Sequence, residues 1–298
     1  MLNSRSLYNK AVNFRTLLHE IGPDLTIVSE TWERQRQSLD DLISSSQFET
    51  ISYRRRKVTN RQPGGGCAII YNSTRFKVEK MDVQPPEKVE VCWAFFTPKA
   101  STQNSRVKKI AVGAVYVAPN SKFKRETIDH IIETIHYVRS TQDNVNFLIG
   151  GDLNRLKIDE ILECHGALKQ IVSVPTRINS TLEKILTDLH PFYHPPTTLP
   201  PLQVDTGKTG SDSDHNIILM APLANNQYKI NRVKKTIKTR PLPASKIEDF
   251  GRDTTSHNWD KVKSVNNIDE KTMNFHQYLV CLLNKHFPEK YVKISSLS

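Results

Sequence analysis

Side chains that can hold a hard cation recur in this chain at the ends of apolar runs. Glu30 follows the run 25–28, Asp152 and Asn154 follow 147–149, and Asp214 and His215 stand just before 217–220. Oxygen donors of this kind suit Mg²⁺, or Mn²⁺, which takes one or two carboxylates and leaves room for a substrate phosphate. Strand ends are also where layered α/β folds place their sites. Singly, each residue has a plainer reading. A glutamate after a strand is usually a solvated end, Asp-x-Asn is common in turns, and a lone histidine is more often a hydrogen-bonded core residue than a catalyst. Zinc chemistry is not indicated, because Cys67, Cys92, Cys164 and Cys281 are scattered singly and read as small buried apolar residues in a reducing compartment. Gly64-Gly65-Gly66 lacks the Lys-Ser/Thr of a P-loop and precedes a strand. It reads as a turn that brings backbone close to a neighbour, not as a nucleotide cradle.

The elements that must position these groups show in the periodicity. Phe14, Leu17, Leu18 and Ile21 fall at helical spacing, and Gly22-Pro23 ends that helix before the first apolar run. Runs 67–71, 89–96, 110–117, 147–149 and 217–220 predict buried strands. Ile128, Ile131, Ile132, Ile135 and Val138 make one apolar helical stripe between two of them. Strands interleaved with helices predict a layered α/β domain over 1–223. The remainder, 224–298, opens on Asn225-Asn226-Gln227, a basic stretch at 229–240 and Arg240-Pro241-Leu242-Pro243, which read as an extended linker. Met273, His276, Leu279, Val280, Leu283 and Phe287 then share a helical stripe, too little for an independent core.

With 298 residues, 37% hydrophobic and 24% charged, the chain can bury a sizeable core, which excludes disorder throughout. The absence of any run of about 18 apolar residues predicts a soluble, intracellular protein with no membrane partner. A net charge of +11 points to a polyanion. From Ala221 onward there are 14 basic against 7 acidic residues, so most of the excess lies in the tail. Acid-free basic stretches at 54–61 and 229–240 are candidate phosphate contacts.

Five short motifs also follow one another in a characteristic order. They are Asn3 in Asn-Ser-Arg-Ser-Leu, Glu30 in Ile-Val-Ser-Glu-Thr-Trp, Tyr116 in Val-Tyr-Val-Ala-Pro, Gly150-Gly151-Asp152-Leu153-Asn154, and Ser213-Asp214-His215. In these the chain resembles the endonuclease/exonuclease/phosphatase superfamily. The wording around them, Arg5-Ser6-Leu7-Tyr8-Asn9-Lys10, Pro175-Thr176-Arg177 and 181–189, is similar to the endonuclease domain of LINE-type (non-LTR) retrotransposons. The likeness spans 3–220.

The resemblance implies an α/β fold, a four-layer sandwich of two mixed β-sheets flanked by helices (DNase I-like), with an extended and helical C-terminal appendage. It implies a metal-dependent endonuclease that nicks DNA and leaves a 3′-hydroxyl, nuclear where it works. Glu30, Asn3 and Asp214 would sit at the metal, Asp152 would orient or deprotonate water, Asn154 and Tyr116 would bind phosphate oxygens, and an imidazolium at His215 would stabilise charge. Thr176, Arg54, Arg55, Arg56 and Arg61 are the candidate DNA contacts. Arg240-Pro241-Leu242-Pro243 and His286-Phe287-Pro288-Glu289-Lys290 resemble the connector before a reverse transcriptase, so a larger retroelement polyprotein is expected. Abasic-site repair, other phosphoester hydrolysis and an inactive nucleic-acid-binding remnant are the alternatives.

Two departures from the family pattern are visible. Only Met1 and Leu2 precede Asn3, where relatives usually carry a longer strand. In Thr-Leu-Glu-Lys-Ile-Leu-Thr, Glu183 stands where the family usually has Asp. Glu183 is expected to hydrogen-bond His215 and keep it cationic. Its extra methylene is expected to strain the arrangement, so that Glu183→Asp raises activity, with Asp188 the next candidate for the role.

Overall fold

The computed structural model describes residues 1–34, 38–43, 47–55, 64–100, 107–223, 233–240 and 243–296. The chain divides into two compact units, Met1–Gln227 and Tyr228–Ser298.

In the first unit, period-two alternation builds two facing sheets. One has the order β1-β2-β4-β3, from β1 (Leu2–Asn3), β2 (Leu25–Ser29), β3 (Phe48–Tyr53) and β4 (Cys67–Asn72). The other has the order β5-β6-β7-β8-β10-β9, from β5 (Phe76–Lys80), β6 (Glu90–Pro98), β7 (Lys109–Tyr116), β8 (Val145–Asp152), β9 (Lys169–Gln170) and β10 (Glu183–Thr187). The pairs β1–β2 and β7–β8 are parallel and their neighbours antiparallel, so both sheets are mixed. A short ribbon of β11 (Thr197–Leu199) and β12 (Ile217–Leu219) completes the unit's strands.

Each strand sends alternate residues to different cores. Cys67, Ile69 and Tyr71 of β4 pack with Cys92, Ala94 and Phe96 of β6 and with Val112 and Ala114 of β7, filling the space between the sheets. Ala68 and Ile70 turn the other way, onto α1 (Ala11–Ile21) and α2 (Leu39–Ile43) through Phe14, Leu18, Leu39 and Leu42. Val91, Trp93 and Phe95 likewise meet α3 (Lys124–Thr141) and α4 (Asp159–Cys164) through Ile131, Ile135 and Ile161. Helix, sheet, sheet, helix is the four-layer sandwich expected. The Gly22 stop of α1 is left-handed, with φ 58°. Strands β3, β5 and β10 leave no apolar run in the sequence, because two are polar edge strands and the third begins on Glu-Lys.

Within the stretch read as an extended linker, 224–232 and 241–242 lie outside the described residues, and the described part is not an isolated extended segment. Val233–Thr239 is a strand, β13, paired antiparallel over its length with β14 (Lys290–Ser296). Between them run α5 (Ala244–Ser256), α6 (Asp260–Lys263) and α7 (Ile268–His286). The helix over the apolar stripe forms, capped by the side chain of Asn267, which accepts from the Asp269 and Glu270 amides. Of the expected stripe Phe287 is buried and Leu279 and Leu283 are half-buried, whereas Met273, His276 and Val280 are exposed and Leu282, outside the stripe, is buried. Among the described residues no helix is long and apolar enough to cross a membrane.

Candidate active site

Strand register assembles the site. Glu90 of β6 lies opposite Tyr116 of β7, Tyr116 opposite Asp152 of β8, and Asp152 opposite Glu183 of β10. Four polar residues therefore form a row at one end of the sheet, on the parity that faces the other sheet. Gly151 lets this row close up. Its φ is 144°, and a Cβ there would lie 1.8 Å from the Val115 carbonyl oxygen, so only glycine fits. Ser29 of β2 locks the two sheets together, accepting from the Asp152 amide at 2.9 Å and donating to the Val115 carbonyl at 3.3 Å.

From the facing sheet come Asn3 and Glu30. The Asn3 amide donates to Glu30 Oε1 at 3.1 Å and to Asp152 Oδ2 at 2.8 Å, tying two carboxylates together, while its own oxygen accepts from the Arg5 amide at 3.0 Å. Glu30 is further held by the Tyr116 hydroxyl at 3.0 Å and the Trp32 indole at 3.1 Å. Glu30 and Asn154 both occupy the left-handed region, at φ 53° and 49°, a conformation that non-glycine residues keep mainly where surrounding structure enforces it. Asn154 donates to the Val117 carbonyl at 2.8 Å, and its amide caps Asp152 Oδ1 at 3.1 Å. Burial, reinforced by the charge of Glu183, raises the Asp152 carboxyl to about 6. Burial beside Glu30 also raises the Tyr116 hydroxyl, so it stays protonated and a donor.

His215 completes the constellation. Its Nδ1 lies 2.5 Å from Glu183 Oε1, and both side chains are buried. The extra methylene of Glu183 is accommodated without displacing β10, which stays in register with β8 from Glu183↔Asp152 to Thr187↔Leu148. Burial disfavours the imidazolium, yet the Glu183 hydrogen bond and charge outweigh it, and the His215 pKa is raised. Asp188 is engaged elsewhere, accepting from the Phe147 amide at 2.9 Å and lying 3.7 Å from His165. Asp214 has its oxygens toward Arg177 at 2.5 Å, Arg5 at 3.9 Å and His215 Nε2 at 3.6 Å.

The donor set fits a hard divalent cation. The hydrogen-bond partners of Glu30 in this cluster, Asn3, Tyr116 and Trp32, are all neutral donors, so a cation is the natural complement of its charge. Glu183 Oε2 is buried without a hydrogen-bond partner. Asp152, Glu183 and His215 also offer ligand atoms within 4.8 Å of one another. In that trio, however, the Glu183–His215 contact is already a short hydrogen bond, so the Glu30 and Asp152 oxygens are the more available donors, with the Asn3 oxygen turned to the Arg5 amide.

The expected DNA contacts fare differently. Thr176 is fully buried, and its hydroxyl serves its own hairpin, accepting from the Leu182 amide at 2.9 Å, so it does not face a ligand. Arg55 is turned inward onto buried Glu90, with its guanidinium 5.6 Å over the Tyr116 ring. Arg54 is exposed, and Arg56 and Arg61 lie outside the described residues. The Gly64-Gly65-Gly66 turn does bring backbone close, since a Cβ on Gly65 would lie 2.3 Å from the Arg55 guanidinium. The structure adds Trp32, Ser29 and Arg177, to which the sequence alone assigns no role, although all three stand inside the motifs quoted above.

A family model described as Endonuclease/Exonuclease/phosphatase family matches residues 2–215. Among curated proteins none matches by sequence. Among solved structures, AP endonuclease LMAP from Leishmania major is similar at 15% identity and TM-score 0.52, over 73% of this chain and 85% of that one. The mannosyl-6-phosphatase Bt3783 of Bacteroides thetaiotaomicron is similar at 13% identity and TM-score 0.52, over 72% and 90%. The 3'-5' exonuclease NExo from Neisseria meningitidis is similar at 14% identity and TM-score 0.50, over 74% and 97%. At such identities the likeness speaks to fold alone.

Proposed function

Because this chain belongs to the Endonuclease/Exonuclease/phosphatase family, we propose that it hydrolyses a phosphodiester of DNA, nicking one strand as the endonuclease of a retrotransposon. The observation that carries this reading is the register row Tyr116, Asp152, Glu183 facing Asn3 and Glu30, with His215, its pKa raised by Glu183, at its end. The retroelement assignment, with its nuclear setting and a reverse transcriptase in the parent polyprotein, is supported by the LINE-like wording around the motifs. The basic charge of the chain supports a polynucleotide over a small phosphate ester.

Glu30, with Asn3 and Asp152 beside it, would hold Mg²⁺ or Mn²⁺, which when bound polarises a phosphate oxygen and lowers the charge of the site. Asp152, ionised above about pH 6, orients the attacking water and takes its proton. As the new P–O bond forms, the P–O3′ bond breaks and the leaving oxygen is protonated from solvent, giving a 5′-phosphate and a free 3′-hydroxyl. His215 donates from Nε2 to the phosphoryl oxygens while Glu183 keeps the ring cationic and fixed. Asn154, next but one to Asp152, lines a cleft with Arg177 and is the candidate for a phosphate oxygen there. Tyr116 donates to Glu30, so its part is to orient that carboxylate rather than to bind phosphate.

The test is conversion of supercoiled plasmid to open circles. Nicking is expected with Mg²⁺, is lost with chelator, and falls by about 10²-fold or more in Asp152→Ala and His215→Ala. Undiminished activity in both variants would remove the site assignment. A parent protein that binds duplex tightly without cutting it would favour a binding remnant.

A further inference from the structure

Arg177 has been given no role so far, yet the fold holds it firmly at the mouth of the site. The hairpin that carries it is closed by the Arg177 amide donating to the Ser180 carbonyl at 3.0 Å and the Ser180 amide returning to the Arg177 carbonyl at 2.8 Å. The Asn216 amide donates to the Thr176 carbonyl at 2.7 Å, which joins the hairpin to the chain one residue past His215. Buried Thr176 packs its hydroxyl into the same turn. The guanidinium donates to Asp214, the neighbour of His215. It also lines a cleft of about 490 Å³ together with Asn154. The site meanwhile gathers four carboxylates, Glu30, Asp152, Glu183 and Asp214, around the place where a phosphate gains negative charge. One imidazolium supplies a single donor toward it, whereas an arginine fork has five N–H groups, so one arm can stay on Asp214 while another reaches an oxygen.

We infer that Arg177 is a further catalytic residue, whose guanidinium, tethered by Asp214, grips a non-bridging oxygen of the reacting phosphate. Asp214 is then the anchor of that arginine rather than a metal ligand. The inference rests on the phosphodiesterase reading of the site. Arg177 is two-fifths exposed, so its replacement should leave the fold intact.

The experiment uses the full chain and a short duplex cut by the parent protein, carrying one phosphorothioate of defined configuration at the cleaved bond. Arg177→Ala is expected to lower kcat by about 10²-fold while substrate affinity changes by about threefold or less. Arg177→Lys keeps the charge without the fork and should recover only part of the loss. The decisive readout is stereochemical. For one diastereomer the slowing caused by sulfur in the parent should shrink toward unity in Arg177→Ala, because the contact that sulfur weakens is already gone. An unchanged kcat, or sulfur effects unaltered for both diastereomers, overturns the inference and leaves the nuclease reading standing. A parent protein that does not cut the duplex overturns both.

Discussion

Two ion pairs meet at one imidazole and are built in opposite ways. Glu183 and His215 are 0% and 6% exposed, a short pair in the dry interior of the sandwich. Asp214 and Arg177 are 39% and 41% exposed, a pair in contact with solvent. A buried pair costs desolvation, and removing one partner leaves an uncompensated charge. An exposed pair is screened and contributes little to stability. The dry pair therefore sets geometry and protonation, while the wet pair can exchange partners, which is what binding an anion asks of an arginine.

The widest break in that comparison comes from neutralising the dry side. Glu183→Gln keeps the shape but removes the charge that raises His215 against burial and that adds to burial in raising Asp152. In the parent, activity requires Asp152 ionised and His215 protonated, so kcat/KM should rise through about pH 6 and fall above the raised His215 pKa. Without Glu183's charge both values fall, so both limbs of the bell should move toward acid, with about 10²-fold lost near pH 7.5. A profile that keeps both limbs in place would show that Glu183 does not set the charge state of the site.

Shortening the same side chain is the next largest change. From the sequence alone, Glu183→Asp is expected to relieve strain and raise nicking. The structure reverses that sign, because Glu183 already reaches His215 at 2.5 Å with β10 in register. An aspartate on the same backbone falls short by roughly a methylene, and about 1 Å of misplacement can cost up to 10²-fold. Nicking by Glu183→Asp should therefore drop by about tenfold, with the Mg²⁺ dependence unchanged. A rate above the parent's would restore the strained reading.

Much of the frame was legible because it is local. Continuous apolar runs at 67–71 and 110–117 reported strands buried on both faces, and Gly22 reported a helix end. The row Glu90, Tyr116, Asp152, Glu183 was not legible, since register between strands far apart in sequence leaves no periodic trace. Glu183 was found only because a resemblance pointed to it, within a strand whose Glu-Lys start hid its apolar half. Thr176 and Arg177 show the same limit: in adjacent positions, one is buried and the other faces the cleft, and only the hairpin's hydrogen bonds decide which. The 233–239 stretch misled for a related reason, because a strand whose partner lies past residue 289 looks extended and solvated when read alone.

A third pair separates burial from catalysis. Glu90 is buried under the Gly66 amide, which donates at 2.5 Å, and burial raises its carboxyl although Arg55 opposes the shift. Arg55→Ala should destabilise the protein by about 1–3 kcal/mol in denaturant unfolding, below the range for a fully buried pair because Arg55 keeps partial solvent contact. Glu90→Gln together with Arg55→Ala should recover part of that loss, since the stranded charge is gone. Equal losses in the single and double variants would mean that the arginine matters for packing against Tyr116 instead.

The smallest effect sharpens the comparison most directly. If the wet pair is an anchor and not a structural bond, the Arg177–Asp214 coupling measured by a double-mutant cycle of unfolding free energies should be about 0.2–1 kcal/mol. Raising the salt from about 0.05 M to 0.5 M shortens the screening length to a few ångströms, so this coupling should fade. The alkaline limb of the pH profile, which reports the buried Glu183–His215 pair, should barely move over the same range, because little electrolyte enters a dry site. A coupling well above 1 kcal/mol that persists in high salt would mean that Asp214 and Arg177 form a rigid strut. The arginine would then have no arm to spare for a phosphate, and the two pairs would differ only in where they sit.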